Sequence, residues 1–60
     1  MNDIEIVNKG TIGFRFEIRK GPLDDPGEFW FDWIASNGDE SDETFDSEEE
    51  ATADVTRRYS

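Results

Sequence analysis

The chain has 60 residues, with 16 Asp and Glu against 6 Lys and Arg, a formal charge of −10, and neither Cys nor His. That size allows one domain, residues 1–60, with a thin core, since a domain this short buries only about 60% of the surface its unfolded chain exposes. The composition excludes disulfides, the usual zinc sites, and any imidazole or thiolate chemistry, and the acidity argues against nucleic acid, whose phosphates call for Lys and Arg.

The first pattern in chain order is Ile4, Glu5, Ile6 and Val7, a short strand or strand start, with the turn-prone Asn8, Lys9 and Gly10 behind it. In TIGFRFEIRK, Ile12, Phe14, Phe16 and Ile18 alternate with Gly13, Arg15, Glu17 and Arg19, which predicts a half-buried strand. Residues 21–27, GPLDDPG, are predicted as a loop because two prolines, two glycines and an Asp pair leave no ladder to continue. GEFWFDWIASNG then packs four of the chain's eight aromatics into one strand. Alternation places Phe29, Phe31, Trp33 and Ala35 on one side and Trp30, Asp32 and Ile34 on the other, so both faces are apolar. Asn37 and Gly38 supply the positive-φ positions of a tight turn.

Register between the two long strands follows from keeping core opposite core. Ile18 opposite Phe29 sets Phe16 against Phe31, Phe14 against Trp33, Ile12 against Ala35 and, on the reverse face, Arg15 against Asp32. A two-residue shift sets Glu17 against Asp32, a like-charge pair. In the polar stretch 39–46, Thr44 and Phe45 are the only plausible pairing residues, so any strand there is short and on an edge. Ser47 with Glu50 forms a capping box, acidic residues follow in the first turn and Arg57 and Arg58 close the last, which predicts a helix with Ala51, Val55 and Tyr59 as its apolar stripe.

The fold class is therefore α+β: a three-stranded antiparallel sheet, with Ile4–Val7 as a short extra N-terminal strand segment, packed on one C-terminal helix. So narrow a stripe covers one face only, the side of Phe14, Phe16, Phe29, Phe31 and Trp33. Trp30 and Ile34 are left over, each worth about 1.5–3 kcal/mol when fully buried. A second subunit is the simplest cover, which makes Trp30, Ile34, Arg15 and Asp32 the candidate interface. The alternative is that the N-terminal strand or a loop folds over them.

FEIRK, GEFWFDWIASNG and FDSEEEATADV, taken together and in this order, resemble the YegP-like family of short α+β domains. Gly27, Glu28, Phe29, Phe31, Ala35, Asn37, Gly38, Ser47, Ala51 and Val55 lie on its pattern. The resemblance implies a three-stranded sheet with one helix, as a tandem pair or as single copies that dimerise, and it brings no catalytic or ligand residues. The chain departs from the pattern at Trp30 and Asp32, where the family tends to carry arginines, at Asp54 and Arg58, and at GDESDET, which replaces an apolar third strand.

The remaining motifs weigh against chemistry. Asp24 and Asp25 are adjacent carboxylates in a loop that gives neither a reason for a raised pKa. Asp39, Ser41, Glu43, Ser47 and Glu50 have calcium-loop-like spacing, but Thr44 stands where the sharp turn needs glycine. The aromatics could form a stacking platform for bases, yet only Arg15, Arg19 and Lys20 lie nearby. The expectation is a non-enzymatic, self-assembling, salt-adapted homodimer without cofactor, metal, small-molecule substrate, nucleic-acid or membrane partner. Its spread acidity and scarce lysine suit a halophile, and MNDIEIVNKG, with neither a basic nor an apolar leader segment, suits the cytoplasm. The alternative is an acidic adaptor whose 39–50 stretch binds a basic protein.

Overall fold

A computed structural model describes residues 3–59. Three antiparallel strands, β1 (Glu5–Thr11), β2 (Arg15–Pro22) and β3 (Phe29–Ala35), form one sheet in the order β1-β2-β3, and helix α1 (Glu48–Tyr59) crosses β2 and β3. The α+β architecture is the one expected from the sequence, but its third strand is the N-terminal one. β1 runs through Asn8, Lys9 and Gly10, which were expected to turn, and the reversal comes at Gly13, whose φ of 77° suits glycine. The pairing slips between Ile6 and Asn8, a bulge that leaves Val7 to pack against the core.

Phe16, Ile18, Trp33, Ala35, Ala51 and Val55 make up that core, and Ile18, Trp33, Ala51 and Val55 have no exposed surface at all. All six come from the sides that alternation and the helix stripe single out. The register does not follow the expectation. Phe16 lies opposite Ala35, Ile18 opposite Trp33, Arg19 opposite Asp32 and Gly21 opposite Trp30, a slip of four residues that keeps every side chain on its expected face. It arises because Gly21 and Pro22 belong to β2 rather than to the loop. Pro22 sits at the strand end, where it interrupts no ladder. A Cβ at Gly21 would fall inside the Trp30 ring, so only glycine lets the indole lie across the neighbouring strand.

After β3 the backbone reverses over Ala35–Gly38, with the Gly38 amide donating to the Ala35 carbonyl at 3.1 Å. Gly38 has a φ of 97°, whereas Asn37 keeps a negative φ and instead accepts the Asp39 amide on its side chain. The returning chain forms no strand but touches the outer edge of β3 at two bridges, Ile34 with Glu40 and Phe31 with Phe45. Phe31 and Phe45 exchange both backbone hydrogen bonds, at 2.9 and 2.7 Å. These contacts cover part of the β3 edge without a further strand.

The capping box forms in modified shape. Ser47 Oγ accepts the Glu50 amide at 3.1 Å, while the Glu50 carboxylate accepts from the Asp46 amide, one residue before the cap.

Candidate functional site: the open face of the sheet

Helix α1 covers one face of the sheet and leaves the other bare, so the candidate site is built from the side chains that alternate away from the core. Cross-strand pairing arranges them in rows: Thr11, Arg15 and Ser36; Lys9, Glu17 and Ile34; Ile6, Arg19 and Asp32; then Gly21 with Trp30. Trp30 and Ile34 are half-buried and Ile6 is exposed. The N-terminal strand does not fold over Trp30 and Ile34, because β1 extends the sheet edgewise from β2. Trp30 gains its partial shelter from lying over Gly21 instead.

Asp32 is paired, but with Arg19 rather than with Arg15. Arg19 Nε and Nη2 donate to the two Asp32 carboxylate oxygens at 2.9 and 2.8 Å, a bidentate fork, and Glu40 lies 3.9 Å from the same guanidinium. Hydrogen bonding to Asp32 raises the Arg19 pKa above its ordinary value; partial burial works against this, and the charges of Asp32, Glu40 and Glu17 add to the rise. Arg15, expected opposite Asp32, stands exposed between Thr11 and Ser36, whose amide donates to the Arg15 carbonyl at 2.8 Å, and its side chain is in no ion pair among the described residues. Beside it opens a depression of about 610 Å³ lined by Lys9, Thr11, Arg15, Glu17, Ile34 and Ser36, with Gly10, Phe16 and Ala35 beneath.

The other carboxylates singled out in the sequence do not converge on a site. Asp39 accepts a hydrogen bond from the Tyr59 hydroxyl at 2.6 Å, Ser41 Oγ donates to the Glu43 carbonyl, and Glu50 is engaged at the helix cap, so the calcium-like spacing is spent on turns and caps. Asp24 and Asp25 are exposed in the 23–28 loop. Among the described residues no group of three acidic side chains is placed to hold a metal ion, and no helix is long and apolar enough to cross a membrane.

One contact invisible to strand alternation lies under the helix. The fully buried Trp33 donates its indole N–H to Asp54 at 2.8 Å, and Tyr59 meets the Trp33 and Phe14 rings edge-on. Asp54 thus serves to seat the second tryptophan.

No protein-family model matches the chain, and neither the curated proteins nor the solved structures contain a match to it.

Proposed function

We propose that this protein is a non-enzymatic assembly module, a homodimer of an acidic, salt-adapted cytoplasm, joined through the open face of its sheet. The observation that carries the reading is the charge of that face. Lys9, Arg15 and Arg19 are set there among Glu17 and Asp32, with Glu40 at the edge beside Arg19, so three of the six cations meet three of the sixteen carboxylates. All other surfaces share thirteen carboxylates and three cations. Two copies of a chain carrying −10 repel each other wherever like charge meets like, and the open face is the broad surface on which they can approach without that cost. It also carries the apolar area of Ile6, Trp30 and Ile34 that a contact would bury. The resemblance to YegP-like domains, which implies dimerising single copies, points the same way.

Sedimentation velocity at micromolar concentration in molar salt tests the reading. The wild-type chain is expected to sediment as a dimer and a Trp30→Glu chain as a folded monomer. A Trp30→Glu chain that remains dimeric moves the contact elsewhere. A wild-type monomer that enters a complex only when a basic protein is added establishes the acidic-adaptor alternative.

A further inference from the structure

We infer that the Arg19–Asp32 ion pair belongs to the dimer contact, and that Arg19, by neutralising Asp32 within its own chain, is what lets Trp30 and Ile34 be buried together against a second copy. The inference rests on the homodimer reading above and names the residue on which that contact depends. It holds for any placement of the second copy that covers both apolar side chains. Trp30, Asp32 and Ile34 are successive residues on the open side of β3, about 7 Å apart. A surface that seals Trp30 and Ile34 from water therefore passes over Asp32, which lies between them.

A lone carboxylate at that point would oppose the contact, because an unpaired charge loses its water and gains nothing in exchange. The structure removes the obstacle in advance. Both Asp32 oxygens accept from the Arg19 fork, at 2.9 and 2.8 Å, and Arg19 is the one ion-pair partner of Asp32 among the described residues. The Arg19 and Asp32 side chains are only 25% and 14% exposed, whereas Arg57 and Asp42, members of the ion pairs beside α1, are 77% and 90% exposed. Most of the water around the Arg19–Asp32 pair is thus already displaced in the single chain, and association adds little to the cost of desolvating it. Glu40, the second carboxylate near Arg19, is 66% exposed at the β3 edge and remains in solvent at the rim of the contact. On the other side Ile6 lies opposite Arg19 and continues the apolar surface onto β1.

The test compares dimer dissociation constants, read by sedimentation on chains whose NMR spectra show them folded. R19Q leaves Asp32 uncompensated and is expected to dimerise about tenfold or more less tightly than wild type. Adding D32N replaces the pair with two neutral amides and should bring the constant back to within about threefold of wild type. R19Q with E49Q has the same net charge as R19Q with D32N, but its lost carboxylate lies on the exposed side of α1, so it should stay as weak as R19Q. A dimeric wild type whose R19Q chain self-associates within about threefold of the original, or is restored by D32N no better than by E49Q, overturns the role of the pair and leaves the dimer standing. A monomeric wild type removes both. Should R19Q not fold, the wild-type chain supplies the reading: exchange of the Arg19 Nε proton with water should slow about tenfold or more from dilute to dimeric samples. An exchange rate that stays constant while the Trp30 indole signal shifts would overturn the inference.

Discussion

Trp33 and Trp30 show how one residue type is used in two ways three positions apart. Trp33 has no exposed surface, and its indole N–H is satisfied by Asp54. Removing that acceptor leaves a buried donor without a partner, so Asp54→Ala should cost about 1–3 kcal/mol in urea unfolding and Asp54→Asn less, because its amide oxygen still accepts. That Trp33 faces the core was legible from alternation. Its acceptor was not, since it stands 21 positions away on a helix whose rotation over the sheet no local pattern dictates. Trp30 depends on Gly21 in the same particular way. Gly21→Ala should drive the indole off β2 at about 1–3 kcal/mol, with a red-shifted Trp emission as it meets water. Tyr59 supplies a pH-dependent contribution. Burial raises its pKa above 10.0, the Asp39 hydrogen bond raises it further, and a hydrogen bond from Asn37 and the charge of Arg58 act in the opposite sense. The folded state therefore holds the phenolic proton more tightly than the unfolded chain, and this contribution is complete below pH 10 and lost as pH rises through the folded value. A pH titration of stability should show the decline above about pH 10 in wild type and not in Tyr59→Phe.

The elements were legible to different degrees, and the reasons are physical. Helix α1 was read in full because its cap, charge gradient and stripe all lie within thirteen residues, and each is a local signal. Ser47→Ala should cost about 1 kcal/mol, measured by thermal or urea unfolding. The faces of β2 and β3 were equally legible, yet their register was not. Alternation repeats every two residues and cannot distinguish a pairing from one displaced by four. What decides it is Gly21 admitting Trp30 and Pro22 tolerated at a strand end, features that on composition alone signal a loop. Arg19→Ala and Arg15→Ala separate the two registers in solution. Loss of Arg19 strands a half-buried Asp32 and should cost the monomer about 1–2 kcal/mol, while loss of Arg15 should leave its stability nearly unchanged. β1 was the least legible element, because Asn8, Lys9 and Gly10 are poor strand formers whose place is set by their partners on β2.

At the scale of the whole molecule, a sheet covered on one side meets a charge that is uneven over the surface. The helix side and the 39–50 stretch carry most of the carboxylates, and the bare face is close to neutral. That the helix could cover only one face was evident from its narrow stripe, and the structure places Trp30 and Ile34 on the other. The site's charge pattern was only half legible, since the slip in register moved Asp32 from Arg15 to Arg19 and left Arg15 in no ion pair among the described residues. Association between two copies of net charge −10 should tighten as salt is added, because screening removes the long-range repulsion beyond a Debye length of about 10 Å at 0.1 M while leaving the short contacts of the face intact. An isotope-filtered NOE spectrum on a mixture of labelled and unlabelled chains in molar salt tests the central claim most directly. It should show cross-peaks between copies from the Trp30 indole and the Ile34 methyl groups; inter-copy contacts arising only from α1, or none from a chain whose diffusion is that of a monomer, would contradict it.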